Sequence, residues 1–436
     1  MPAFSIPPRG LVMRESQSNR RSFLMNAGAA AATVASVDLA HVAHAAGSDI
    51  IKVGLVGCGG RGTGAAEQAL AADKNVRLVA MGDAFSDYLE NSHAALKSSP
   101  HSDRVDVPAD RRYVGFDAYK NVIDQVDVVL LTTPPFFRPM HLEYAVGKGI
   151  HSFVEKPVAT DSAGVRKVLA LCEEAKAKNI SVVSGLCWRY HQPRRETMAK
   201  VKEGAIGDII AVETTYNSNG VWEPKKTREQ VGSDMELQMR NWYYYCWLSG
   251  DHIVEQAVHG IDSMGWALGD EPPTQCFGVG GRASRIGAQY GDIWDHFSLV
   301  YEYANGVRGY HQCKHWRDTD VSVKDYVLGT KGQADVFGSK ITGENAWRYR
   351  GPKTDMYQTE HDEMFAAIKA GKPINNGLYA SRSTLLAIMG RMAAYTGQVI
   401  TWDMALNSKE ELGPKEFVWG DLPTRPVPRP GINKYS

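Results

Sequence analysis

Lys156 is the first of three residues in the 436-residue chain whose type and position suit proton transfer on a substrate. It lies between Glu155 and Pro157 in the stretch "SFVEKPVAT", directly after a short apolar run that predicts a buried strand. A lysine usually occupies a solvated loop, because its ammonium group is strongly hydrated. At the carboxyl end of a buried strand, where α/β proteins bind ligands, it becomes a candidate catalytic residue. The alternative is an ordinary solvated lysine at a strand end.

Glu255 and His259 are the other two candidates, in the stretch "DHIVEQAVHGID". They lie four residues apart, so on a helix they share one face. Histidine changes charge near neutral pH, which suits it to proton transfer, but His259 could also be an ordinary core residue. His252, Glu255 and His259 form a further alternative, a zinc set. Their spacing matches neither helical zinc signature, and we predict no metal.

A glycine-rich turn follows the apolar run of residues 51–56, in "IKVGLVGCGGRGTGAAEQAL". The order is strand, Gly57-x-Gly59-x-x-Gly62 and helix, which is typical of a dinucleotide site in which backbone approaches a pyrophosphate at a helix N-terminus. Asp83 ends the next predicted strand. A carboxylate there suits the ribose diol of NAD and repels the extra phosphate of NADP, so we expect NAD. A turn or capping role is the alternative for Asp83.

Predicted strands and helices alternate over residues 50–187, which indicates a Rossmann domain with a doubly wound parallel sheet. The predicted cofactor-binding residues lie at the carboxyl ends of its strands and are Gly57, Gly59, Gly60, Arg61, Gly62, Asp83, Thr133, Pro134, Glu155, Lys156 and Trp188. Residues 188–412 alternate apolar and polar side chains around a hairpin signal at Asn305-Gly306. We therefore expect a second, α+β domain with an open, mainly antiparallel sheet. Residues 413–436 are Pro-rich and predicted to be extended.

The N-terminal residues 1–45 predict a twin-arginine export signal. Arg20-Arg21 precede an Ala-rich stretch, and an A-x-A cleavage signal ends at Ala45. Asp38 interrupts the apolar part, and a disordered basic leader is the alternative. Because this route carries folded proteins, we expect a periplasmic or otherwise exported enzyme.

Composition excludes several classes of protein. Lys+Arg and Asp+Glu both number 49, so the basic excess of a nucleic-acid binder is missing. Beyond the N-terminus no apolar run approaches a membrane span, and the six cysteines form no CxxC pair. A globular protein with a small-molecule ligand remains.

The sequence resembles the glucose–fructose oxidoreductase / inositol dehydrogenase / MocA (Gfo/Idh/MocA) family over residues 50–410. The resemblance rests on the GxGGRG turn, on "EKP", on "GLCWRYHQPRRETMAKVKEGAIGDI" leading into a sheet domain, and on an acid-x-x-x-His helix. It implies hydride transfer between a nicotinamide cofactor and a sugar or cyclitol. It also implies that Lys156 follows strand five beside the nicotinamide, often before a cis bond, and that His259 is the acid/base. Glu255 stands where the family usually has aspartate, so it either orients His259 or binds substrate.

The leading hypothesis is an exported, NAD-dependent oxidoreductase of a sugar, cyclitol or glycoside. The alternatives are an NAD-dependent glycoside hydrolase similar to the N-acetylgalactosaminidases, a non-catalytic sugar sensor and a zinc hydrolase. The predicted substrate-binding residues are Arg189, Tyr190, Tyr244, Tyr245 and Trp247. An exported enzyme must carry its NAD with it, and an open sheet face predicts a homo-oligomer.

Overall fold

The computed structural model describes residues 49–435, and the predicted export signal lies outside them. Two sheets follow one another along the chain from Ile51. Among the described residues, no helix has the length and apolar character that crossing a membrane requires.

The first sheet has six parallel strands in the order β3-β2-β1-β4-β5-β6, with helices between them. The strands are β1 (Ile51–Val56), β2 (Val76–Asp83), β3 (Arg112–Val114), β4 (Val128–Leu131), β5 (His151–Val154) and β6 (Val182–Ser184). The helices are α1 (Gly60–Ala72), α2 (Ser86–Lys97), α3 (Ala118–Ile123), α4 (Arg138–Gly147) and α5 (Ser162–Ala177). This order confirms the predicted doubly wound Rossmann sheet.

Register brings the ends of the central strands to one edge. Val56 pairs with Leu131, and Leu131 pairs with Val154, so the residues after β1, β4 and β5 emerge side by side. All four residues of β4 are fully buried, as expected for a central parallel strand covered on both faces. The glycine turn and the Glu155-Lys156 pair therefore meet at the carboxyl edge.

The second sheet has nine strands in the order β14-β13-β12-β11-β7-β10-β9-β8-β15. The strands are β7 (Ile209–Ser218), β8 (Gln275–Gly281), β9 (His296–Glu302), β10 (Arg308–His315), β11 (Ser322–Gly329), β12 (Gly332–Asp335), β13 (Lys340–Gly343), β14 (Trp347–Arg348) and β15 (Ile400–Thr401). Only the β7–β10 pair is parallel among the described strand pairs of this sheet, which confirms the mainly antiparallel prediction.

Helices cover one face of this sheet. The remaining helices are α6 (Gln192–Lys202), α7 (Asp234–Arg240), α8 (Cys246–Ser249), α9 (His252–Glu255), α10 (Val258–Ala267), α11 (Met356–Lys369), α12 (Gly377–Thr396) and α13 (Trp402–Asn407). Short 3-10 turns occur at Ser102–Arg104, Ala109–Arg111, Pro135–Phe137, Cys187–Tyr190, Arg228–Gln230, Trp242–Tyr244 and Ala288–Tyr290. α12 is almost entirely buried between this sheet and the Rossmann helices.

The predicted single helix around Glu255 and His259 is wrong, because the structure divides it into α9 and α10. The Ala257 N–H reaches back five residues to the His252 carbonyl, at 3.1 Å, and the His259 N–H donates to Gln256 instead of Glu255. The Glu255 carbonyl is thereby released from the helical ladder, and its partner is described below.

Candidate active site

A cavity of about 740 Å³ lies where the carboxyl edge of the Rossmann sheet faces α9 and α10. This volume is in the usual range for ligand and cofactor pockets. All eleven predicted cofactor-binding residues line it, together with Glu255 and His259.

The glycine turn has the shape that a dinucleotide cradle needs. Gly57 has a φ of +97°, a conformation that residues with a Cβ rarely adopt. A Cβ on Gly62 would lie 1.9 Å from the Gly57 carbonyl oxygen, whereas one on Gly59 would meet nothing within 4 Å. The backbone at Gly59 is thus open to the cavity, and the N-terminus of α1 follows directly, where free N–H groups favour an anion.

Asp83 connects the end of β2 to the glycine turn. Its carboxylate accepts hydrogen bonds from the backbone N–H groups of Cys58, at 2.6 Å, and Phe85, at 2.9 Å. Burial raises the pKa of Asp83 to about 6. The turn role is therefore present, and binding of the ribose diol by the same carboxylate stays a prediction.

Arg61 and Glu155 hold one another at the cavity wall. The guanidinium of Arg61 is paired with Glu155 and lies 3.2 Å from Glu360. Burial acts to raise the pKa of Glu155, but Arg61 and Arg138 outweigh it and lower that pKa. Glu155 also accepts the backbone N–H of Lys156 at 3.0 Å, so this ion pair orients the loop that carries Lys156.

Lys156 is held by two different oxygens of Glu255. Its ammonium donates to the Glu255 carboxylate at 2.9 Å and to the released Glu255 carbonyl at 2.6 Å. Both side chains are largely buried. An ammonium has three N–H donors, so one remains for a substrate oxygen. The bond between Lys156 and Pro157 is cis, as the resemblance implied.

His259 lies flat against Trp188, with ring centroids 5.0 Å apart and planes at 21°. Burial, followed by the positive charges of Lys156 and Arg194, lowers its pKa well below the ordinary value. The imidazole is therefore neutral at neutral pH. Its Nδ1 and the Glu255 Oε2 are buried without a hydrogen-bond partner in the described chain, which leaves two polar atoms for a substrate.

Arg138 is a residue of this site that the sequence reasoning missed. Its guanidinium donates to the backbone carbonyls of Thr133, at 2.9 Å, and Pro157, and thereby joins the loops that follow β4 and β5. Burial lowers the pKa of Arg138 to about 10, so it stays charged at neutral pH. The Thr133 hydroxyl lies 3.3 Å from His141 Nδ1, while Pro134 starts the turn beside it.

The predicted substrate-binding residues are not brought to this cavity. Arg189 forms a buried double ion pair with Asp262 and Asp270, and the Tyr190 hydroxyl donates to Asn376 at 2.8 Å. The Tyr244 hydroxyl donates to the Trp222 carbonyl. Tyr245 and Trp247 are buried beside a separate cavity of about 190 Å³. These large aromatic side chains are buried in the core, whereas the sequence analysis predicted that they bind the substrate.

Other side chains line the substrate side instead. Tyr216, at the end of β7, donates its hydroxyl to Gln256 at 3.1 Å, and both face the cavity. Trp222 and Trp242 also line it, with ring centroids 5.6 Å apart. Only the composition of "TTYNSNGVW" could have suggested Tyr216 and Trp222, and that signal is weak. Trp242 belongs to the same aromatic segment as the predicted Tyr244, Tyr245 and Trp247.

The alternative zinc set does not form a metal site. His252 is fully buried, and its Nδ1 lies 2.6 Å from the Tyr243 hydroxyl. Within residues 49–435, no group of three or more His, Cys, Asp or Glu side chains is arranged to hold a metal ion.

Two family models match the chain. One, described as an oxidoreductase family with an NAD-binding Rossmann fold, matches residues 51–183, and a GFO/IDH/MocA C-terminal domain matches residues 195–335. The chain belongs to the Gfo/Idh/MocA oxidoreductase family. The residues around the glycine turn fit the dinucleotide that this family binds, and its cofactor is NAD.

Curated relatives of this family member are distant. A glycosyl hydrolase family 109 protein from Shewanella baltica (strain OS185) is 26% identical over 237 residues, which cover 49% of this chain and 49% of that protein. The 2,7-anhydro-N-acetylneuraminate hydratase of Escherichia coli (strain K12) is 25% identical over 220 residues, 50% of this chain and 53% of that protein. The chain spans about half the length of the curated relatives it matches.

Solved structures share the fold over most of the chain. The aldose-aldose oxidoreductase of Caulobacter crescentus, complexed with glycerol, aligns with a TM-score of 0.63 and 18% identity, over 81% of this chain and 99% of that one. The myo-inositol 2-dehydrogenase of Lactobacillus plantarum gives 0.62 and 18%, again over 81% and 99%. At these identities the likeness establishes the fold.

Gly62→Ala should abolish NAD binding, because its Cβ would overlap the Gly57 carbonyl and push the glycine turn into the cavity. Gly64→Ala is the matched control: it lies in the same helix, and its Cβ would meet only Arg61, at 3.5 Å. Nucleotide binding and thermal unfolding of both variants check this. An NAD affinity for Gly62→Ala equal to that of Gly64→Ala would contradict the cradle.

Proposed function

We propose that this protein is an oxidoreductase that transfers hydride between a tightly bound NAD and a ring hydroxyl of a sugar, cyclitol or glycoside. The observation that carries the proposal is the cluster of Lys156, Glu255 and His259 in the NAD cavity. It combines a positioned cation, a neutral imidazole and two unpartnered buried polar atoms. A non-catalytic sensor would not need this combination.

The chemistry that NAD supplies when bound is acceptance of a hydride from the carbon that carries the hydroxyl. The third N–H of Lys156 donates to the hydroxyl oxygen and stabilises the negative charge that develops there. His259 accepts the hydroxyl proton, because its lowered pKa keeps the ring neutral. Glu255 holds the ammonium in place by pairing with it. Because the pKa of His259 is lowered, protonation of this residue should reduce activity only at acidic pH.

A redox-neutral glycoside hydrolase is the second candidate, and the glycosyl hydrolase family 109 relatives favour it. In that cycle the oxidised carbon acidifies its neighbouring C–H, the aglycone is eliminated, water adds and the carbon is reduced again. The same three residues would handle the protons. The two candidates differ in whether product forms without net reduction of NAD.

We also propose that the protein is exported and retains its cofactor. Arg20-Arg21 support export, and retention follows because no NAD supply is evident outside the cytoplasm. The C-terminal tail, residues 413–435, supports retention, since Trp419 packs on Phe116 and Phe85 with ring centroids 4.5 and 5.3 Å apart. Both phenylalanines line the cavity beside Asp83.

The tail is anchored to the second domain while it covers the first. The Gly420 carbonyl accepts the Met235 N–H at 3.1 Å, and the Leu422 carbonyl accepts the Gln238 side chain at 2.6 Å. Phe417 lies against Phe137, another cavity residue, at 5.3 Å. The tail thus bridges the two domains over the end of the cavity where Asp83 would meet the ribose.

We propose further that a second copy of the chain covers the open face of the nine-stranded sheet. Phe277, Val300, Tyr310 and Tyr326 lie in one cross-strand row on that face. Val279, in the next row, is 70% exposed. Glu213 and Lys324 lie on the same face, so the surface carries both signs of charge and can pair with itself about a two-fold axis.

Lys156→Ala should leave bound NAD unchanged and lower turnover by about 10³-fold or more, because the lysine acts on the substrate. The assay is a panel of sugars and aryl glycosides, with Lys200→Ala, a partly exposed lysine that pairs with Glu203, as the control. Because the single change leaves Glu255 buried and unpaired, a Lys156→Met/Glu255→Gln double variant tests the same loss without a lone charge. Turnover near that of the wild type in both variants would overturn the proposal.

The exported protein should begin at Ala46 and carry nicotinamide nucleotide near stoichiometry, which N-terminal sequencing and absorbance of the denatured supernatant measure. Trp419→Ala should release the nucleotide at least about tenfold faster, because the aromatic cover is lost. Val418→Ala is the control, since that side chain is 62% exposed. Protein that purifies empty would refute retention, and equal release from both variants would refute the role of the tail.

Tyr310→Asp should convert an oligomer into monomers, because it buries a charge at the centre of the proposed contact. Leu378→Asp is the control, an exposed apolar residue at the start of α12, away from the open face. Sedimentation of the two variants decides the matter. Identical oligomers in both would place the contact elsewhere.

A further inference from the structure

We propose that Arg194 is a positioning residue for His259: held by Asp325, it fixes the Trp188 indole against the imidazole. This inference rests on the proposed function of the site. It adds to the catalytic cluster a residue from α6, which sequence reasoning did not select.

Trp188 connects the arginine to the histidine. The guanidinium carbon of Arg194 lies over the Trp188 ring, 3.8 Å from its centroid, in the geometry of a cation–π contact. The same indole lies nearly parallel to His259 at 5.0 Å. A change in the position of Arg194 would therefore be transmitted through one rigid ring to the plane of the imidazole.

Arg194 itself is held by one carboxylate and by two aromatic rings. Its Nη1 donates to the Asp325 carboxylate at 2.9 Å, and both side chains are almost fully buried. Phe337 packs against the guanidinium at 4.7 Å from its ring centroid. A buried arginine that pairs with one carboxylate and stacks on two rings is a rigid support, because its planar group has no other favourable orientation.

The helix that carries His259 approaches the same support closely. A Cβ on Gly260 would lie 3.4 Å from Thr214, 3.5 Å from His311 and 3.6 Å from an oxygen of Asp325. The start of α10 therefore rests directly on the sheet beside the Arg194–Asp325 pair. Displacement of that pair would therefore move His259 through the backbone at Gly260 as well as through Trp188.

Several charged or titratable groups face this region from the surrounding elements. They are Lys156 after β5, Glu255 on α9, Arg194 on α6, Tyr216 on β7, His311 on β10, Asp325 on β11, and the Asp262–Arg189 pair on and beside α10. Lys156 and Glu255 pair with one another, and burial lowers the pKa of His311 to about 3, so it is neutral. Arg194 is the cation outside the Lys156–Glu255 pair that lowers the pKa of His259.

The protonation state of Asp325 decides whether the positive charge of Arg194 is compensated. Burial raises its pKa to about 6, although Arg194 acts in the opposite direction. Above that pH the carboxylate compensates Arg194, and removing the arginine alone would leave a lone buried carboxylate. The test therefore uses the double variant Arg194→Met/Asp325→Asn, which removes both charges, leaves no unpaired carboxylate and keeps similar side-chain volumes.

The test is the titration of His259, followed through the histidine ring signals in NMR and assigned with His259→Gln. His259 titrates well below its ordinary pKa, in a range where Asp325 is largely protonated, so there the double variant removes a net positive charge and the pKa of His259 should rise by about one unit. The acid limb of the kcat/KM profile should move to higher pH by the same amount. Arg194→Lys, which keeps a cation, should restore the position of the limb while lowering kcat, since the planar stack on Trp188 is lost.

Arg195→Met is the matched control, because Arg195 is adjacent on α6 but pairs with Glu363 and packs on Tyr190 instead of Trp188. It should leave the titration unchanged. An unchanged His259 pKa in the double variant would overturn the inference, even if the variant is less stable. A shifted pKa in a protein that turns over no sugar or glycoside would support the inference and refute the proposed function, so the two failures are distinguishable.

Discussion

The site depends on the two hydrogen bonds that the Lys156 ammonium donates to Glu255. One residue supplies both a carboxylate and a main-chain carbonyl to the same ammonium. A carbonyl inside a continuous helix has its own N–H partner, so this arrangement requires the interruption between α9 and α10. That interruption also starts α10 at the point where His259 reaches Trp188. Removing one partner of a buried pair of this kind costs about 3–5 kcal/mol, because the other charge is left buried and uncompensated.

The Rossmann sheet supplies the other side of the same constraint. Because Val56, Leu131 and Val154 are in register, the glycine turn, Thr132 and Glu155 come to one edge without long loops. Two arginines then connect these loops to their surroundings. Arg61 pairs with Glu155, and Arg138 joins the loops after β4 and β5, so the Rossmann domain positions the lysine from one side while Glu255 pairs with it from the other.

The sequence predicted the parts of the site that obey local rules and missed those set by tertiary contacts. The glycine turn and Lys156 follow apolar strands, so both were found by their place in the strand–helix order. The helix interruption gave no signal, since Gln256 and Ala257 are ordinary helix formers and neither is glycine or proline. Tyr245 and Trp247 were misplaced because composition cannot distinguish a ring that fills the core from one that faces a sugar.

The central claim is that this cavity moves a hydrogen from a ring carbon of its substrate, and isotope transfer tests it most directly. Purified protein, without added NAD, would be incubated with sugars and aryl glycosides deuterated at their carbinol carbons, and the nucleotide and products analysed by mass spectrometry. The account predicts deuterium in the nicotinamide ring. If the cycle is redox-neutral, deuterium returns to the product, and the hydrogen on the neighbouring carbon exchanges with solvent. Product that forms with no deuterium in the nucleotide and no solvent exchange would contradict the account.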